Sequence, residues 1–106
     1  MYLKIKNKKI EIKELKTFNE RFKSLKFNLY TIDYGLFFPK KKLLDTTFYC
    51  QRVDACFTDD DNTILYLHSN VKSEKRILHT KAKNVYVLPL NTAQQLIIGD
   101  TLKIQK

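Results

Sequence analysis

Val53-Asp54-Ala55-Cys56-Phe57-Thr58-Asp59-Asp60-Asp61-Asn62-Thr63-Ile64-Leu65-Tyr66-Leu67-His68 decides the fold class. Two strand-length apolar runs flank four turn-forming residues, Asp59 to Asn62, which predicts an antiparallel hairpin. The acidic turn does not read as a calcium loop. Such a loop needs a central Gly and a distal bidentate Glu, and neither residue occurs in the ten positions after Asp59.

The same reasoning extends outward. Residues 2–13 alternate apolar and charged side chains, which predicts a second hairpin. A turn at Asn7-Lys8 sets Ile5 opposite Ile10, Leu3 opposite Ile12 and Lys4 opposite Glu11. Thr17 and Glu20 form a capping box, and Phe18, Phe22 and Leu25 follow at helical spacing, so a helix is expected over 18–26. Gly35 to Pro39 is a buried apolar run, and Lys40 to Lys42 is an exposed loop. Strand is expected over 46–51, mostly loop over 69–82, and strand again over 85–90. Asn91 caps a short helix over 92–96, and Gly99-Asp100 turns the chain into a last strand at 102–104. The pattern predicts a mainly β single domain over 1–106, α+β at the margin. It is a compact β-barrel or jelly-roll-like sandwich of six or more short strands with two short helices.

Charge and cysteine content bound the function. The chain carries a net charge of +9, with 13 Lys and Arg against 5 Asp and Glu in residues 1–53, and 7 against 6 in residues 54–106. Such asymmetry suits an anionic partner. Only Arg21, Arg52 and Arg76 are arginines, however, and arginine is the residue suited to bidentate phosphate contacts. No apolar run reaches the roughly 20 residues of a membrane helix, and the first residues lack a signal-peptide pattern, so a cytoplasmic protein without a membrane span is expected. Cys50 and Cys56 lie too far apart along an extended strand to bridge, and are expected as free thiols. With His68 and His79 isolated in sequence, no metal site and no cofactor are expected.

Several segments together resemble the bacterial and archaeal family called domain of unknown function 192. Its helix signature is similar to Thr17, Glu20, Arg21, Lys23 and Leu25, with Ser24 in place of the usual glycine. Its G-M-L-F segment resembles Gly35-Leu36-Phe37-Phe38, and its H-T-F-x-M-R-F-P-I-D segment resembles Asp45 to Asp54 through Thr46, Phe48, Val53 and Asp54. Here Tyr49 replaces the methionine and Arg52 the proline. The next strand and D-x-x-G turn are similar to Cys56-Phe57 and Asp59 to Asn62. The closing motifs resemble Val87-Leu88-Pro89-Leu90, Ala93 and Ile97-Ile98-Gly99-Asp100-Thr101-Leu102. The resemblance spans residues 10–105 and implies a jelly-roll-like β fold with no established activity.

Three functional readings follow. The first is a non-catalytic binding or accessory module with a site along the 46–54 segment, formed by Phe48, Tyr49, Arg52 and Asp54. Asp54 sits in an apolar run, so its carboxylate either meets a ligand or ties the strand to a loop backbone. The second is a single-stranded nucleic-acid or polyanion binder using Lys4, Lys6, Lys9 and Lys13, with binding weak and lost at physiological salt. The third is a small enzyme centred on Asp54, assisted by Arg52 or by a cysteine paired with His68. The chain lacks the nucleophile elbow, the Walker loop, the dinucleotide fingerprint and the zincin helix, which leaves enzyme function the weakest of the three.

Overall fold

A computed structural model describes residues 1–5, 8–14, 32–46, 49 and 51–105. The strands are β1 (Tyr2–Ile5), β2 (Lys8–Glu14), β3 (Gly35–Phe38), β4 (Leu43–Asp45), β5 (Val53–Thr58), β6 (Ile64–Val71), β7 (Arg76–Leu78), β8 (Asn84–Leu88) and β9 (Lys103–Gln105). Seven of them form one curled sheet in the order β6-β5-β8-β3-β2-β1-β9, and β4 pairs with β7 in a separate two-stranded sheet. The two edges of the large sheet meet at one corner. There the Ile64 N–H donates to the Asp100 carbonyl at 2.8 Å, the Gly99 N–H to the Ile64 carbonyl at 2.9 Å, and the Leu102 N–H to the Asn62 carbonyl at 2.8 Å. The result is a mainly β half-barrel. Among the described residues no helix is long and apolar enough to cross a membrane.

The central strands are buried on both faces, and their sequences show why. Along β5, Val53, Ala55 and Phe57 enter one core with Leu36, Phe38, Val85 and Val87. Cys56, between them, enters a second core with Leu3, Ile12, Ile64, Tyr86 and Leu88. A strand covered on both faces reads as a near-continuous apolar run, whereas a strand with one wet face alternates. β8 is of the first kind and β1 of the second. Gly35 marks the tightest approach: a Cβ there would stand 2.5 Å from Ile12 Cδ1 and 3.2 Å from the Val87 carbonyl oxygen.

The hairpin at Val53–His68 forms as expected, as β5 and β6. The N-terminal hairpin also forms, but shifted: Leu3 pairs with Ile10, Lys4 with Lys9, and Tyr2 with Glu11. A slip of two residues leaves every side chain on its expected face, so the hydrophobic pattern carries no information against it. β2 also pairs in parallel with β3, Ile12 opposite Gly35.

Other expectations are met in part. The expected helix over 92–96 is a single 3-10 turn at Ala93–Gln95, with Thr92 at its N-cap making no side-chain cap; Asn91 has φ 73° instead of capping. Among the described residues the second expected helix is thus reduced to this one turn, and the first, expected over 18–26 with its Thr17 cap, lies outside them. Residues 47, 48 and 50 of the strand expected over 46–51 lie outside the described residues, and just before that segment stands β4, Leu43–Asp45. Thr46 ends it by turning its hydroxyl onto the next loop, donating to the Lys72 carbonyl at 2.8 Å and accepting from the Lys75 N–H at 2.9 Å. The segment 69–82 is mostly loop, as expected, and also holds the end of β6 and all of β7, to which β4 supplies a pairing partner.

One buried hydroxyl is uncompensated. Among the described residues Thr58 Oγ1 has no hydrogen-bond partner, and Thr58 is fully buried. Thr58→Val keeps the shape and removes the desolvated oxygen, so it should raise unfolding stability by about 1 kcal/mol. A urea midpoint that falls would show that the hydroxyl has a partner.

Candidate functional site

Asp54 occupies a β-bulge. Val53 pairs with Val71 and Ala55 with His68, so Asp54 alone faces two residues of β6, Ser69 and Asn70. Asn70 takes φ 55°, a left-handed conformation that asparagine tolerates. This geometry turns the Asn70 N–H onto Asp54 Oδ1 at 2.9 Å, while the Ala93 N–H donates to Oδ2 at 2.8 Å. The fully buried carboxylate thus ties β5 to the bulge and to the 3-10 turn.

The other residues of that segment separate. Tyr49 is buried within the first core. Arg52 is exposed, and its guanidinium donates to Asn70 Oδ1 at 3.4 Å. Phe48 and Cys50 lie outside the described residues. Tyr49, Gln51 and Arg52 nevertheless line one cleft of about 320 Å3 with Lys72 and Ser73. Cys56 is fully buried, and burial pushes its thiol up to about 12. A thiol held protonated is a poor nucleophile. The acidic turn is closed by its own backbone: Asp59 Oδ1 accepts from the Asp61 and Thr63 N–H groups, each at 2.9 Å.

Strand order builds a lysine row that the sequence left scattered. Lys4 of β1 lies directly opposite Lys9 on β2 and opposite Lys103 on β9. All three are exposed, on the face that also carries exposed Tyr2. Like charges directly opposite in a sheet destabilise it. Lys13 is engaged further along β2, its Nζ 4.1 Å from the centre of the Tyr34 ring. Lys6 lies outside the described residues. Lys103 escaped the sequence reading because its membership of this row depends on β9 pairing with β1, a long-range contact with no local signature.

The two histidines, isolated in sequence, also meet. His68 Nε2 lies 2.8 Å from His79 Nε2. The His79 ring stacks on Tyr66 at 3.7 Å and 5°, and meets Phe57 edge-on at 4.6 Å. Desolvation lowers both imidazoles below their usual basicity, and the neighbouring His79 lowers His68 further.

No family model and no curated protein matches the chain. Two solved structures share its fold. One is a protein of unknown function from Novosphingobium aromaticivorans DSM 12444, 15% identical, with a TM-score of 0.78 over 97% of this chain and 82% of that one. The other is a "putative transcription regulator" from Sinorhizobium meliloti 1021, 17% identical, with a TM-score of 0.80 over 96% of this chain and 89% of that one. At such identities the likeness establishes the fold: this chain is a small, mainly β domain of the same architecture as these two proteins.

Proposed function

We propose that the domain is a non-catalytic binding module whose partner is an extended polyanion of the single-stranded nucleic-acid kind, held on the β2-β1-β9 face. The observation that carries this reading is the row Lys9–Lys4–Lys103, three cations across three adjacent strands. A fold keeps such a row at a cost in stability, and a polyanion removes the cost. Tyr2, nearly half exposed at 46% beside Lys4, supplies a surface on which a base can stack. The regulatory designation of the Sinorhizobium neighbour is in keeping with a nucleic-acid partner.

Neutralising about three phosphates gives a slope of roughly −2 in log K against log salt, and so about a twentyfold loss of affinity from 50 to 200 mM salt. Fluorescence anisotropy with a mixed single-stranded oligonucleotide should show that dependence. Lys4→Gln should shrink the slope by about 0.7 while raising stability by a few tenths of a kcal/mol, because it removes both like-charge contacts. An unchanged slope in Lys4→Gln would reject the lysine row as the contact surface.

A second reading keeps the module and moves its site. Arg52 and Lys72 converge with Gln51 and Ser73 on the 320 Å3 cleft, a composition suited to a small anion. It predicts that Arg52→Gln, and not Lys4→Gln, abolishes binding of inorganic phosphate or a mononucleotide. The resemblance to domain of unknown function 192 stands on the quoted residues and adds no activity to either reading.

A further inference from the structure

We propose that His68 and His79 form a two-coordinate site for a soft monovalent d10 cation of the Cu(I) or Ag(I) class. Its basis is the directionality of the pair. The ring centres are 5.1 Å apart and the Nε2 atoms 2.8 Å apart. An imidazole nitrogen lies about 1.15 Å from its ring centre, so the difference is fully accounted for by the two ring radii. Both ring axes therefore lie on one line, and the rings are within 24° of parallel. In the free protein that line holds one shared hydrogen: one ring donates Nε2–H and the other accepts.

The same line is the coordination axis of a two-coordinate ion. With metal–imidazole bonds of about 2.0 Å, the nitrogens must separate by about 1.2 Å. Both histidines are only partly buried, and His79 follows β7 of the two-stranded sheet, so the adjustment falls on His79 and not on the seven-stranded sheet. On binding, the donor ring moves its hydrogen from Nε2 to Nδ1 through solvent. Two neutral imidazoles then each offer an Nε2 lone pair, and no net proton is lost.

The surroundings select the class of ion. Among the described residues no group of three or more His, Cys, Asp and Glu side chains gathers anywhere, so the four ligands of a tetrahedral zinc site are missing. Cys56 belongs to the opposite core from Phe57 and cannot join the pair. With the aromatic rings of Phe57 and Tyr66 as walls, no anionic ligand among the described residues offsets a second positive charge. Imidazole nitrogen suits copper.

The test is a titration of the 15N-labelled full chain with Ag(I), which is diamagnetic and needs no reductant, followed through the histidine ring nitrogens. With the Cys50 thiol replaced, one equivalent should move the Nε2 resonances of His68 and His79 together. In a Cys50→Ser background, which removes a competing thiol, His68→Phe and His79→Phe should each lower affinity at least tenfold. Zn(II) at the same concentration should leave the rings unchanged, and Ag(I) affinity should fall from pH 7.5 to pH 5.5 as protons compete. Because the ring nitrogens are read directly, the spectrum of the Cys50→Ser protein decides the matter even if a histidine variant fails to fold. Movement of one ring only, or of neither, overturns the site, and so does retained affinity in a folded His79→Phe protein.

Discussion

Asp54→Ala should lower unfolding stability by about 3 kcal/mol, a large share of the 5–15 kcal/mol that holds a typical domain together. Both carboxylate oxygens accept backbone N–H bonds, at 2.9 Å from Asn70 and 2.8 Å from Ala93. Hydrogen bonds to a charged group contribute about 1.5–3 kcal/mol each, and deleting the acceptor leaves both donors behind. The two losses are unequal. Asn70 is exposed, so water can take over its N–H, whereas Ala93 is buried and its N–H stays unpaired. Asp54→Asn keeps one acceptor oxygen and puts an NH2 group against the other donor, so it should cost about 2 kcal/mol. Urea unfolding measures both, with the midpoint falling and the slope unchanged. A loss under about 1 kcal/mol for Asp54→Ala would show that the carboxylate does not anchor the bulge. It would also restore Asp54 as a candidate ligand-binding acid, the first role its place in an apolar run suggests.

That alternative was visible in the sequence, and so was its resolution in kind. An aspartate between Val53 and Ala55 must be paired somehow, and a tie to loop backbone is one way. The partners were not legible. Asn70 comes within reach through a bulge in β6, and Ala93 through a turn 39 residues away in sequence. The same division runs through the fold. β5 and β6 declared themselves because a turn of four polar residues separates two apolar runs. β4 and β7 did not, since three residues each carry too little periodicity and each exists by virtue of the other. The N-terminal register was unreadable for a different reason: slipping Ile5 and Ile10 by two positions changes the pairs and preserves the faces. Of the candidate sites, Lys4 and Lys9 were named from composition, while Lys103, the His68–His79 contact and the Lys72 side of the cleft all required strand order. Long-range topology is where local patterns stop.

Phe57→Ala should be the most damaging single truncation, costing about 4 kcal/mol. The ring is fully buried in the core that also holds Val53, Ala55, Val85 and Val87. Its strand is buried on both faces and hydrogen-bonded along both edges, to β6 and β8, so the surrounding backbone has little freedom to collapse into the void. Phe57 also seats the histidines, edge-on to His68 at 5.7 Å and to His79 at 4.6 Å. Phe57→Leu separates the two roles. It keeps most of the volume, so the loss should shrink to about 1–2 kcal/mol, while the aromatic contact to the imidazoles, worth about 0.5–1.5 kcal/mol per pair, disappears. Denaturant midpoints give the stability of both variants, and histidine ring resonances report the pair. In Phe57→Leu those resonances should shift while backbone amide signals in β1 and β9, on the far side of the sheet order, stay in place. If Phe57→Leu unfolds as easily as Phe57→Ala, the ring's shape, and not its buried volume, is what the core requires. If the histidine resonances do not move, the aromatic edge is not what holds the imidazoles in line.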